Sequence, residues 1–204
     1  MALAEAAAAR GWSVTLLLGP TPIETTDTRV HTERFQTTAE LQALLHQHFP
    51  RCDTLIMAAA VADYRPATST NQAPLSQTKI TRASGKLTLE LESTPDLLAL
   101  CSGQRTPGQT LVGFALEPRD RMLPSAQSKL ERKGLDAIVA NPLETMDAPT
   151  IEATLLRRSG APVSTNGPIP KEQFARWLLD QIEALTLAGA SSESARPHAL
   201  PRPT

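Results

Sequence analysis

Three polar residues follow directly on apolar runs: Asp63 after residues 55–62, Glu117 after residues 111–116 and Asn141 after residues 135–140. In an open α/β sheet ligands sit beyond the carboxyl ends of the strands, so binding chemistry would gather at these positions. A polar residue closing a buried strand also occurs for structural reasons alone, and position does not decide between the two readings. Lys129 and Lys133 stand at i and i+4. That spacing puts both ammonium groups on one helix face, where they repel unless an anion lies between them. A triphosphate would supply the anion; equally, lysines near a helix C-terminus favour the dipole and solvate the surface. Lys79, at the edge of a long polar loop, admits the same two readings.

Other chemistries lack their residues. His31, His46, His48 and His198 lack metal-ligand spacing, since His46 and His48 at i and i+2 point to different helix faces. Cys52 and Cys101 are far apart in sequence with no CxxC, which argues against a zinc site and a disulfide framework and suits a reducing cytoplasm. No metal ligand is assigned. GxGxxG, GxxxxGK[ST] and GxSxG patterns are missing from the sequence.

Alternating short apolar runs and helical patterns must position the candidates. Alanine-rich residues 1–10 read as a helix closed by Gly11, and residues 13–18 as a strand buried on both faces. A strand is expected around residues 30–35. Thr37 and Glu40 form a capping box for a helix carrying Leu41, Leu44, Leu45 and Phe49, which Pro50 stops; residues 53–60 read as a buried strand. The long, proline-containing stretch 61–78 reads as a functional loop or flap. Residues 79–82 and 86–92 flank Ala83-Ser84-Gly85 and predict a hairpin with one solvated face.

Ser93-Thr94-Pro95-Asp96 supplies an N-cap, a proline at the first helical position and an acid in the first turn, opening a helix to about Ser102. Residues 111–116 read as a strand, 121–133 as a helix with Gly134 in the C-cap position, and 135–140 as a strand broken by Asn141-Pro142. Residues 151–158 make a late strand, and 170–188 a helix with Phe174, Trp177, Leu178, Ile182 and Leu185 on one face. Residues 189–204 lack periodicity and read as a disordered tail. The pattern predicts one α/β domain over residues 1–188, a doubly wound, mostly parallel, Rossmann-like sheet with a β-hairpin flap. The opening helix has neither cap nor strand before it, so the first βα unit is expected to be missing.

Composition narrows the partners. The 204 residues carry 20 Lys+Arg against 21 Asp+Glu, a net charge of −1, with 3% aromatics. No basic field or stacking platform exists for nucleic acid. The longest apolar run, residues 55–62, falls well short of the ~18 residues that span a bilayer, so no membrane partner is expected.

The run Ala58-Ala59-Ala60-Val61-Ala62-Asp63-Tyr64-Arg65-Pro66 is followed by Lys79-Ile80, Thr94-Pro95-Asp96-Leu97-Leu98 and Val112-Gly113-Phe114-Ala115-Leu116-Glu117. Lys129-Leu130-Glu131-Arg132-Lys133 and Ala140-Asn141-Pro142 complete the series. In order and spacing it closely resembles the phosphopantothenoylcysteine synthetase family over residues 1–188. The resemblance implies a CTP-dependent acid–amino-acid ligase of coenzyme A biosynthesis that joins 4′-phosphopantothenate to cysteine with Mg²⁺. It implies a catalytic and nucleotide-binding Lys79. Asp63, Pro95, Asp96, Leu97, Leu98, Phe114, Lys129 and Lys133 would also contact the nucleotide, and Ala59, Ala60 and Asn141 the substrate. A cytoplasmic homodimer is implied, with a separate flavin-dependent decarboxylase as a further partner. Family members carry a strand, a GxTxExxD-like turn and an NxSSG loop ahead of the alanine-rich helix, so the alternative is a nucleotide-binding remnant acting as a scaffold or partner subunit.

Overall fold

The structure, a computed structural model, describes residues 1–67 and 89–194, with side chains to residue 187. Helix α1 spans Ala2–Ala9, where alanine loses no side-chain entropy, and Gly11 at φ +84° turns the chain out of it. Strand β1 (Val14–Leu18) pairs in parallel with β2 (Val30–Arg34). Helix α2 (Thr38–His48) opens on the expected capping box, with the Glu40 amide donating to Thr37 and the Glu40 carboxylate accepting from the Thr37 amide. A 3₁₀ turn at Phe49–Arg51 then leads to β3 (Thr54–Met57).

Next come β4 (Tyr64–Pro66), β5 (Leu91–Ser93), α3 (Leu97–Gln104), β6 (Thr110–Glu117), α4 (Met122–Arg132) and β7 (Ala137–Pro142). The chain closes with β8 (Thr150–Ile151), β9 (Thr154–Arg157), β10 (Val163–Ser164), β11 (Ile169–Pro170) and α5 (Lys171–Ser194). The main sheet has the order β10-β9-β7-β6-β3; β3, β6 and β7 run parallel, while β9 and β10 add an antiparallel margin.

Helices cover both faces. Leu41 and Leu45 of α2, Leu97, Leu98 and Cys101 of α3, and Ala126 and Leu130 of α4 pack with Leu111 and Ala115 of β6 on one side. On the other, Phe174, Leu178 and Ile182 of α5 pack with Val112, Val139 and Leu155, joined by Leu3 of α1. Alternate residues of β6 thus serve two separate cores, as the pleat requires. This is the doubly wound architecture that the sequence predicts.

Several expectations are corrected. Strands β1 and β3 are half-buried rather than buried, while β6 and β7 are buried nearly throughout. Among the described residues, β1 pairs only with β2 and β3 only with β6, so each keeps an open edge. The expected strand over 53–60 stops at Met57, where pairing with Gly113 ends. Asn141 and Pro142 end β7 instead of breaking it, and Pro142 stands opposite Glu117 at the strand's last position, where a missing N–H is tolerated. The expected strand 151–158 divides into β8 and β9, and α5 continues to Ser194.

In the described part of the flap, β5 pairs antiparallel with β4; the arm 79–82, Lys79 and the rest of the expected hairpin lie outside the described residues, as do residues 195–204.

Candidate active site

At the carboxyl end of the sheet, β6 delivers Glu117 to the side occupied by α3 and α4. Ser125 and Lys129, one turn apart on α4, both reach its Oε1: the Ser125 hydroxyl donates over 2.8 Å and the Lys129 ammonium over 2.5 Å. These two hydrogen bonds, Lys129 first, hold the Glu117 carboxyl below the ordinary carboxylate range. One turn further on, the Lys133 ammonium lies 3.0 Å from Asp96. Each lysine therefore carries its own carboxylate, which relieves the repulsion that the i, i+4 spacing creates.

Asp96 has a second duty as the N-cap of α3, accepting from the Ala99 amide at 3.2 Å. Burial pushes its carboxyl up, but the Lys133 hydrogen bond, the Ala99 amide and the Lys133 and Arg132 charges outweigh that and hold it low. The expected cap further upstream is corrected. Ser93 belongs to β5, and Thr94 ties down the preceding loop, its hydroxyl donating to the Ala62 carbonyl and its amide to the Asp63 carbonyl at 2.9 Å. Pro95 thus precedes the cap instead of opening the helix.

The Thr94 bonds bring Asp63 beside the start of α3, and the Arg65–Glu92 pair at 2.7 Å clamps β4 to β5. Ala59 and Ala60 are exposed just past β3. Leu97 and Leu98 are buried in the core, so they offer backbone amides at the helix start and almost no side-chain surface. The floor beneath is tight: a Cβ on Gly113 would stand 2.8 Å from Leu135, between α4 and β7, and 3.0 Å from Leu98 of α3, so glycine lets these two leucines sit this close to β6.

Two candidates lie elsewhere. Phe114 points to the α5 face, where its ring meets Phe174 edge-on at 6.3 Å. Asn141 shares that face by strand alternation; it is buried and donates to the Thr145 hydroxyl at 2.9 Å. The groove between α2 and α3, about 310 Å³ and lined by Leu45, Phe49, Leu97 and Leu100 among others, contains neither lysine. Ser125 escaped the sequence reading, although its place four residues before Lys129 puts both on one helix face.

The family described as "DNA/pantothenate metabolism flavoprotein C-terminal domain" matches residues 1–185. A "Cysteine/Cysteine sulfinic acid decarboxylase" from an unknown prokaryotic organism is 40% identical over 144 residues, covering 71% of this chain and 38% of that protein. The "Coenzyme A biosynthesis bifunctional protein CoaBC" of Mycobacterium tuberculosis is 37% identical over 149 residues, covering 69% of this chain and 34% of that protein. The chain therefore spans little more than a third of the length of these relatives. Among solved structures, the C-terminal domain of coenzyme A biosynthesis bifunctional protein CoaBC superposes with a TM-score of 0.71 at 29% identity, covering 90% of this chain and 80% of that one. By the extent of these matches, this chain belongs to the DNA/pantothenate metabolism flavoprotein C-terminal domain family.

Proposed function

We propose that the domain is a phosphopantothenate–cysteine ligase of coenzyme A biosynthesis that activates 4′-phosphopantothenate with CTP. The observation that carries this reading within the family is the α4 lysine pair, with Lys129 reaching the end of β6 and Lys133 the start of α3. In the first step a carboxylate oxygen of phosphopantothenate attacks the α-phosphorus of CTP. The bond to the bridging oxygen breaks, and pyrophosphate leaves with the electron pair. In the second step the cysteine amine attacks the acyl carbon of the acyl-cytidylate and loses a proton, and CMP departs.

An anion approaching a triphosphate needs preplaced cations, and removing one such contact costs about 3 kcal/mol. Lys129 and Lys133 would supply charge from α4, and Lys79 would add a third cation. Asp63 and the amides at the start of α3 would bind the nucleoside end, and Ala59 and Ala60 the substrate; Asn141, buried on the α5 face and bonded to Thr145, takes no part in this arrangement. Among the described residues no group of three or more His, Cys, Asp or Glu side chains converges on a metal position. Mg²⁺ would be carried on the triphosphate oxygens, where it would draw charge from phosphorus. The reading places the enzyme in the cytoplasm as a homodimer, supplied with cysteine and phosphopantothenate and working alongside a flavin-dependent decarboxylase. Among the described residues no helix is long and apolar enough to cross a membrane.

A pyrophosphate assay with each substrate omitted in turn tests the proposal. Release that needs both CTP and phosphopantothenate, with amide product only when cysteine is present, supports it. CTP binding without release would instead favour the nucleotide-binding remnant. Lys79→Ala is expected to lose turnover about a hundredfold with little change in CTP affinity, as for a cation that meets the phosphate mainly when charge builds in the transition state.

A further inference from the structure

We infer that Glu117 is a positioning residue: its carboxylate, fixed by Ser125, sets where the Lys129 ammonium meets the nucleotide phosphates. This rests on the reading of the lysine pair as a phosphate seat. A lysine side chain is a flexible stem carrying a point charge, and a ligand that must order it loses affinity for doing so. Here the ordering precedes the ligand. Glu117 ends β6 and is held in register against Pro142 of β7, so its carboxylate stands on the rigid sheet. Its Oε1 takes both the Ser125 hydroxyl and the Lys129 ammonium.

The pair is partly withdrawn from water, with 20% of the Glu117 and 34% of the Lys129 side chain exposed. An ammonium has three donors; one goes to Glu117, and two stay available for phosphate oxygens. Glu117 also differs from Asp96 in having no helix-capping duty, so its effect on the lysine can be read without unfolding a helix.

Calorimetric titration of Mg-CTP into the wild type, Glu117→Ala, Glu117→Gln and Ser125→Ala, with thermal melts of each, tests the inference. Glu117→Ala is expected to raise Kd about tenfold. Glu117→Gln is expected to stay within about threefold of the wild type, because an amide oxygen accepts the same two hydrogen bonds; Ser125→Ala should fall between them. A merely structural role would lower the melting temperature while leaving Kd of the folded protein unchanged, and that result overturns the inference. A loss in Glu117→Gln equal to that in Glu117→Ala also overturns it, since charge rather than position would then be acting. Failure of the wild type to bind Mg-CTP overturns the parent reading and this inference together, whereas equal binding by the wild type and Glu117→Ala overturns this inference alone.

Discussion

The Lys133 ammonium sits 3.0 Å from the Asp96 carboxylate that caps α3, so one carboxylate both starts a helix and holds a cation of the candidate site. The two duties separate by substitution. Asparagine caps as well as aspartate, so Asp96→Asn should keep the cap and lose only the ion pair to Lys133, lowering the neutral-pH melting temperature slightly; Asp96→Ala should lose both, the cap alone being worth about 1 kcal/mol of stability. The Asp96 pKa is lowered from its ordinary 3.8, so its ionic contribution is fully present above that pH and is lost as pH falls through the lower folded value. Thermal melts at pH 7 and pH 3 should show Asp96→Asn and the wild type converging at the acidic end; a constant gap would contradict this.

Gly113 lies under the same site. Gly113→Ala would drive a methyl group to within 2.8 Å of Leu135 and 3.0 Å of Leu98, and overpacking of this kind costs about 1–3 kcal/mol. Chemical denaturation is the check. A stability equal to the wild type would show that Leu98 and Leu135 move away without penalty.

What the sequence made legible divides along physical lines. The Thr37–Glu40 capping box and the buried face of α5 rest on local spacing, and both are found. The half-burial of β1 and β3 was not legible, because an apolar run does not say how many neighbours its strand has. The sequence pattern puts the cap of α3 too early, because Ser93 and Thr94 are good capping residues that the fold commits to β5 and to the Asp63 loop. Lys129 and Lys133 were visible as a pair, but the carboxylates that hold them come from residues 12 and 37 positions away, beyond the reach of any local pattern. Phe114 followed the strand into the α5 core, since side chains alternate across a sheet.

The open edges of β1 and β3 predict uneven amide exchange. Interior strands β6 and β7 pair on both sides, and their amides should exchange far more slowly than the outward amides of β1 and β3. Uniform protection across the four strands, followed by hydrogen exchange, would show that the two edges are covered.

The proposed homodimer has a candidate surface in the β4–β5 pair, where Tyr64, Leu89 and Leu91 are each more than half exposed. Apolar side chains beside strand edges favour pairing with a second copy. Light scattering should report a dimer at micromolar concentration that Tyr64→Lys with Leu91→Lys disperses. A monomer in the unsubstituted protein would remove the dimer from the account.

The lysine pair of α4 is the proposed seat of the nucleotide's phosphates. Calorimetric titration of Mg-CTP into the wild type, Lys129→Ala, Lys133→Ala and the double variant measures it directly. Each single substitution should raise Kd about tenfold, equivalent to about 1.4 kcal/mol, with the double variant weaker than either. A double variant that stays folded and binds Mg-CTP as tightly as the wild type would show that the phosphates sit elsewhere.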